Sequence, residues 1–284
     1  ISIGHETPID YTASIQKLKD CETVVFVGGI APQLEGEEMP VNLPGFKGGD
    51  RTDIELPQVQ RAFLQALKKA GKKIVFINCS GSAMALTPET ESCDAILQAW
   101  YPGQEGGEAV ARVLFGEYNP SGKLPVTFYR DSKQLPDFKD YSMKGRTYRY
   151  MNDALFPFGY GKSYTSFNIG EAQLSSNTLK KGEQIKLTIP VSNVGKKDGT
   201  EVVQVYVKDP TDIDGPLKSL KAYQRIEVKA GATAQAVISL DSKNFELFDA
   251  ATNTVRAKAG DYEVYYGNSS TDKDLKKVMV TYEY

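Results

Sequence analysis

The sequence predicts two folds in tandem: a partial, mostly parallel α/β sandwich domain over residues 1–139 and an antiparallel β-sandwich over 168–284, joined by a connector over 140–167. Three observations lead there. In the first half, short unbroken apolar runs alternate with helix-period stripes, the pattern of buried parallel strands and their crossover helices. In the second half, apolar and polar residues alternate with a period of two, as half-buried antiparallel strands require. The connector carries neither period and is rich in Tyr, Phe and Gly.

The run from Thr23 to Gly28 ends in a Gly-Gly step and reads as the first parallel strand. A helix is expected from Pro57 to about Ala70, with Pro57 at the first helical position. Its inward stripe reads as Val59, Phe63, Ala66, Leu67 and Ala70, with Gly71 as the stop. Lys73 to Asn78 and Ala95 to Trp100 give a second and third strand. A second helix, about Glu105 to Phe115, would turn Ala109, Val110, Val113 and Leu114 inward and end at Gly116. Such alternation implies a parallel sheet with helices on both faces. Three strands are few for a doubly wound domain, so a fragment or processed piece of a longer protein is expected.

Further on, Ile185, Leu187, Ile189 and Val191 alternate with polar neighbours, as do Val203, Val205 and Val207. Strands are also expected over 224–228, 234–240, 260–266 and 277–282, with turns at 193–195, 229–231 and 267–268. Alternation at this spacing reads as a sandwich. The connector's aromatic residues read as interface packing rather than a sugar platform.

Composition removes several classes. Lys and Arg number 34 against 36 Asp and Glu, a net charge of −2, so a nucleic-acid footprint is not expected. Lys68, Lys69, Lys72 and Lys73 sit at a helix C-terminus, where they complement the macrodipole. No apolar run approaches the roughly 20 residues that cross a bilayer, and the first residues do not read as a signal peptide. Cys21, Cys79 and Cys93 are odd in number, without metal spacing, and read as packed free thiols. His5 is the sole histidine, which argues against a Ser-His-Asp triad or a His-rich metal site. Ser80-Gly81-Ser82 lacks the nucleophile-elbow pattern and reads as a small-residue turn. Gly28-Gly29 lacks a dinucleotide fingerprint, and Gly103 to Gly107 reads as entry to a tightly packed helix. No cofactor and no metal are expected.

The chemistry points to the loop after the first strand, Leu34-Glu35-Gly36-Glu37-Glu38-Met39, followed by Gly48-Gly49-Asp50-Arg51. Loops at the carboxyl ends of parallel strands are where such sheets place ligand chemistry. A carboxylic acid there can protonate a leaving group, as glycosidic cleavage requires.

Several motifs, in order, carry a family resemblance: GGDRTDIELPQVQ (48–60), AWYPGQEGGEAVARVLFGEYNPSGKLPVTF (99–128), GRTYRYM (145–151) with LFPFGYGKSYTSF (155–167), and VSNVGKKDGTEVVQVYV (191–207). Together they resemble the C-terminal part of glycoside hydrolase family 3, the β-glucosidase and β-xylosidase family. The resemblance implies that the second domain is fibronectin type III-like. It also implies that an N-terminal barrel, absent from this sequence, carries an aspartate nucleophile. The expected function is a portion of a retaining, exo-acting β-glycosidase. Its substrates would be oligosaccharides or aryl glycosides with terminal non-reducing β-linked sugars, and this chain alone would be inactive. By the same resemblance Glu37 is the general acid/base, with Glu35 the runner-up and Glu38 a third candidate. Residues 39–47 insert before Gly48, and Asp50 and Arg51 position the loop. Bacterial relatives of this kind are often periplasmic or secreted. The competing reading is a non-catalytic carbohydrate-binding or adhesion module whose β-sandwich is the working part.

Overall fold

The computed structural model describes residues 9–35 and 40–284. His5, Glu37 and Glu38 lie outside the described residues. The chain divides into two compact units: residues up to Ala111 together with Phe128–Asp140, and Arg112–Thr127 together with Tyr141–Tyr284.

In the first unit, α1 (Thr12–Lys17) precedes β1 (Thr23–Gly29) and the short α2 (Pro32–Glu35). Three two-residue strands follow, β2 (Asn42–Leu43), β3 (Phe46–Lys47) and β4 (Asp50–Arg51), then α3 (Gln58–Lys69), β5 (Lys73–Cys79), α4 (Thr87–Ser92) and β6 (Ala95–Gln98). The main sheet is parallel in the order β1-β5-β6. Residues 42–47, within the segment 39–47 that the sequence gives only as an insertion, contribute to a three-stranded antiparallel ribbon. Its β3–β4 turn is Gly48-Gly49 with φ of 62° and 90°. Two adjacent left-handed residues match the twist of a tight hairpin, and glycine adopts them without strain.

Helix α3 departs from the expected stripe. Pro57 flanks the helix instead of opening it, and the buried positions are Gln60, Leu64 and Leu67. Phe63 is half-buried, packing against Tyr11 and Phe26 at ring-centroid distances of 5.1 and 5.8 Å. Gly71 ends the helix as expected: its N–H donates to Lys68 O, and the Lys72 N–H donates to Leu67 O. This pair of bonds satisfies two orphan carbonyls around a glycine at φ 76°.

The third strand ends at Gln98, and Trp100 follows in the left-handed region at φ 56°. The expectation of helices on both faces fails at β1. Phe26 points to α3 and is buried, whereas Val25 and Val27 are 51% and 65% exposed on the opposite face. Likewise α5 (Gly106–Leu114) buries none of its residues. Val110, Val113 and Leu114 are half-covered, and Ala109 is exposed. The cysteines are free, but Cys21 is exposed rather than packed; Cys79 is half-buried and Cys93 buried.

The second unit contains α6 (Thr147–Tyr150) and β7 to β17. The strands are β7 (Phe167–Ile169), β8 (Gln173–Leu174), β9 (Thr178–Lys180), β10 (Gln184–Asn193), β11 (Gly199–Lys208), β12 (Ser219–Val228), β13 (Thr233–Asp241), β14 (Leu247–Asp249), β15 (Thr254–Arg256), β16 (Gly260–Gly267) and β17 (Leu275–Glu283). One sheet runs β13-β10-β7, with β8 also on β10; the other runs β12-β11-β16-β17-β9. Each long strand contains a stretch expected from period-two alternation. Their inward residues, among them Leu187, Val205, Leu240, Tyr266 and Val280, form one buried apolar core. The five strands not expected, β7, β8, β9, β14 and β15, are two or three residues long. The connector's aromatic residues pack within this unit: Tyr148 stacks on Phe158 at 4.5 Å and meets Tyr206 edge-on.

One polar side chain fixes the end of β1. Buried Gln60 accepts from the Gly29 N–H at 2.8 Å and donates to Gly29 O at 2.7 Å, taking the place of a neighbouring strand. Replacing Gln60 by Ala strands both backbone groups and should cost about 2–4 kcal/mol in urea unfolding. Gln60→Glu, which keeps only acceptors, should recover little.

Candidate active site

Three loops leave the carboxyl ends of β1, β5 and β6, and each delivers one side chain to the same point. After β1 the chain turns at Gly29, φ 114°, and enters α2, whose last residue is Glu35. After β5 comes Ser80-Gly81-Ser82, and after β6 come Trp100 and Tyr101. The Ser82 hydroxyl donates to Glu35 Oε1 at 2.5 Å, and the Tyr101 hydroxyl donates to Glu35 Oε2. Both carboxylate oxygens are therefore occupied as acceptors. Gly81 lies beneath them: a Cβ there would stand 2.5 Å from the Tyr101 ring and 2.7 Å from Glu35 Oε2.

A polar layer under this crest shapes the β5 loop. Asn78, fully buried, donates through Nδ2 to Gln98 Oε1 at 2.6 Å. Gln98 donates to Ser80 Oγ at 3.1 Å, and that hydroxyl donates to Ser82 O at 2.9 Å. The chain of bonds runs from the ends of two strands to the backbone of Ser82, so the Ser82 side chain is held in place from below.

Arg51, at the end of β4, approaches from the side. Its guanidinium donates through Nη1 to Ser82 Oγ at 3.2 Å and through Nη2 to Glu55 O at 3.2 Å. Ser82 thus relays between Arg51 and Glu35. Desolvation lowers the Arg51 pKa, and Glu35, then Asp53 and Glu55, oppose that shift. Asp50 is exposed and pairs through its backbone with Lys47 in the β3–β4 hairpin. Behind the crest, Arg61 joins buried Glu89 at 2.7 Å and Glu55 at 3.0 Å, tying α3 to α4.

Of the residues singled out from sequence, the structure brings Glu35 and Arg51 to one cluster and leaves Asp50 on the hairpin surface. Two members were missed. Ser82 reads from sequence as a turn residue, and Tyr101 stands out only within a family motif. The available signal is positional: both follow an apolar parallel strand, as the acidic loop does.

Comparisons with known proteins give the family. Residues 8–164 match the Glycosyl hydrolase family 3 C-terminal domain, and residues 201–270 match a fibronectin type III-like domain. The chain belongs to glycoside hydrolase family 3, through its C-terminal domain. It is 61% identical over 281 residues to a xylan 1,4-beta-xylosidase of Xylanibacter ruminicola, covering 99% of this chain and 32% of that protein. It is 35% identical to a periplasmic beta-glucosidase of Salmonella typhimurium, covering 90% of this chain and 34% of the relative. Among solved structures, a beta-glucosidase from Listeria innocua in complex with glucose superposes with a TM-score of 0.82 at 26% identity, over all of this chain and 40% of that one. The chain thus spans about a third of the length of the curated relatives it matches.

Burial pushes the Tyr101 phenol up to about 12, with the Glu35 hydrogen bond and charge adding to it against the Gly81 backbone and Arg51. A raised phenol pKa means that the stabilisation is complete below the ordinary value of 10.0 and is lost as pH rises towards 12. Tyr101 therefore stays a donor across the working range. In NMR of the chain labelled at tyrosine Cζ, its resonance should keep the phenol position at pH 11, where an ordinary phenol is ionised.

Proposed function

We propose that this chain supplies the acid/base carboxylate of a retaining, exo-acting β-glycosidase that releases xylose from the non-reducing ends of β-xylosides. The observation carrying this reading is the convergence of three carboxyl-end loops on a carboxylate within the acidic segment. The choice of xylosides over glucosides rests on the 61% identity to a named xylan 1,4-beta-xylosidase.

Glu37 is the proposed acid/base. A general acid must present a protonated oxygen to the glycosidic oxygen. Both oxygens of Glu35 already accept hydroxyl hydrogen bonds, which suits an anchor two residues away. Protonated Glu37 donates to the departing alcohol while an aspartate from outside this chain attacks the anomeric carbon. The Glu37 carboxylate then takes a proton from the water that cleaves the glycosyl-enzyme. Arg51 holds the loop through Ser82 and the Glu55 carbonyl, and Asp50 helps set the hairpin that presents it. No cofactor takes part. A location outside the cytoplasm is proposed from the Salmonella relative, which is named periplasmic.

The complete gene product containing this chain should hydrolyse xylobiose, and Glu37→Gln should lower kcat/KM by about 10²- to 10⁴-fold. Azide should restore turnover of that variant on an activated aryl xyloside, since azide needs no general base. A wild-type protein that binds xylan through residues 168–284 without cleaving it would replace this reading with that of a binding module.

A further inference from the structure

We propose that Tyr101 is a positioning residue for the acid/base step, its hydroxyl clamping Glu35 and so fixing, at the crest of the sheet, the point from which the acidic segment starts. The inference rests on the assignment of the acid/base to that loop and goes beyond it by naming what holds the loop. Four observations carry it. The Tyr101 hydroxyl donates to Glu35 Oε2 while Ser82 holds Oε1, so the carboxylate is gripped from two different strands' loops. Tyr101 itself is 40% exposed and is no part of the core, so packing does not account for its orientation.

The backbone before it is strained. Trp100 sits at φ 56°, a region costly for a bulky side chain, and such strain persists only where the surroundings over-determine it. Here they do: the Trp100 ring meets fully buried Phe128 edge-on at 6.1 Å, and the Ala99 N–H donates to Asn78 O at 2.9 Å. The left-handed residue reverses the chain directly after β6 and turns the next side chain towards the β5 and β1 loops. Finally, position 81 has no side chain where one would push Tyr101 and Glu35 apart.

A clamp on the acid differs from a clamp on the fold in its dependence on the leaving group. Departure of a sugar alcohol needs a proton from the acid; departure of dinitrophenolate does not. In the complete gene product, Tyr101→Phe keeps the ring and removes the donor. Its kcat/KM on xylobiose should fall about 10- to 100-fold, while that on 2,4-dinitrophenyl β-xyloside stays within about threefold. Gly81→Ala, which displaces the Tyr101 ring and the Glu35 carboxylate without deleting either, should show the same split and serves if Tyr101→Phe fails to fold. Equal losses on both substrates, or no loss on either, would overturn the positioning role. If Glu37→Gln and Glu35→Gln both keep wild-type xylobiose hydrolysis, the parent reading fails instead, and the two failures are told apart.

Discussion

Parallel pairing with level strand ends is the constraint on which the first unit depends. Gly28 lies beside Asn78, and Asn78 beside Gln98, so three strands finish on one line. Ser82 and Tyr101 each follow their strand by three residues, and Glu35 arrives through one helical turn. A shift of one residue in either pairing would turn every side chain to the other face and scatter the loop starts. The register is held by buried residues on β1 and β5, Phe26 and Phe76, whose rings lie 5.7 Å apart. Gln60 then pairs the N–H and C=O of Gly29 at the end of β1. The chemistry at the crest is thus inherited from packing further down the strands.

Where apolar periodicity had one interpretation, the sequence was legible. The long sandwich strands fall at the expected positions because their burial pattern is their sequence pattern; the three parallel strands fall there on short apolar runs, although β1 is open on one face and β6 buries none of its residues. Helix α3 shows the limit. Its expected stripe passed over Gln60 because a polar residue scores against burial, yet that position is buried to serve Gly29 as a strand partner. The ribbon β2–β4 was not expected because two-residue strands are too short to show alternation; only the Gly48-Gly49 step signalled the hairpin. The clamp was half legible. Glu35 stood out as a carboxylate, whereas Ser82 and Tyr101 act only through neighbours that the fold brings from 47 and 66 residues away.

The two units differ in how completely they cover themselves. The sandwich closes a core in which Leu187, Val205 and Tyr266 have no exposure. The three-stranded sheet leaves Val25 and Val27 open, and full burial of each side chain would contribute about 1.5–3 kcal/mol. All-parallel sheets are normally covered on both faces. The curated relatives, about three times the length of this chain, have ample polypeptide for such a cover.

The wiring of the crest also explains why a serine stands between Arg51 and Glu35. A bidentate guanidinium–carboxylate pair is the strongest neutralising arrangement available to an acidic group. With Ser82 between them, Arg51 stays bonded to the β5 loop while Glu35 meets two neutral hydroxyl donors. Glu35 then retains more of its negative field than a direct ion pair would leave. A general acid holds its proton better beside such a field, since a nearby negative charge disfavours its own ionisation. Hydroxyl donors therefore combine two requirements that a direct salt bridge would set against each other: a carboxylate fixed in place, and a negative field kept for the acid that the loop is proposed to carry.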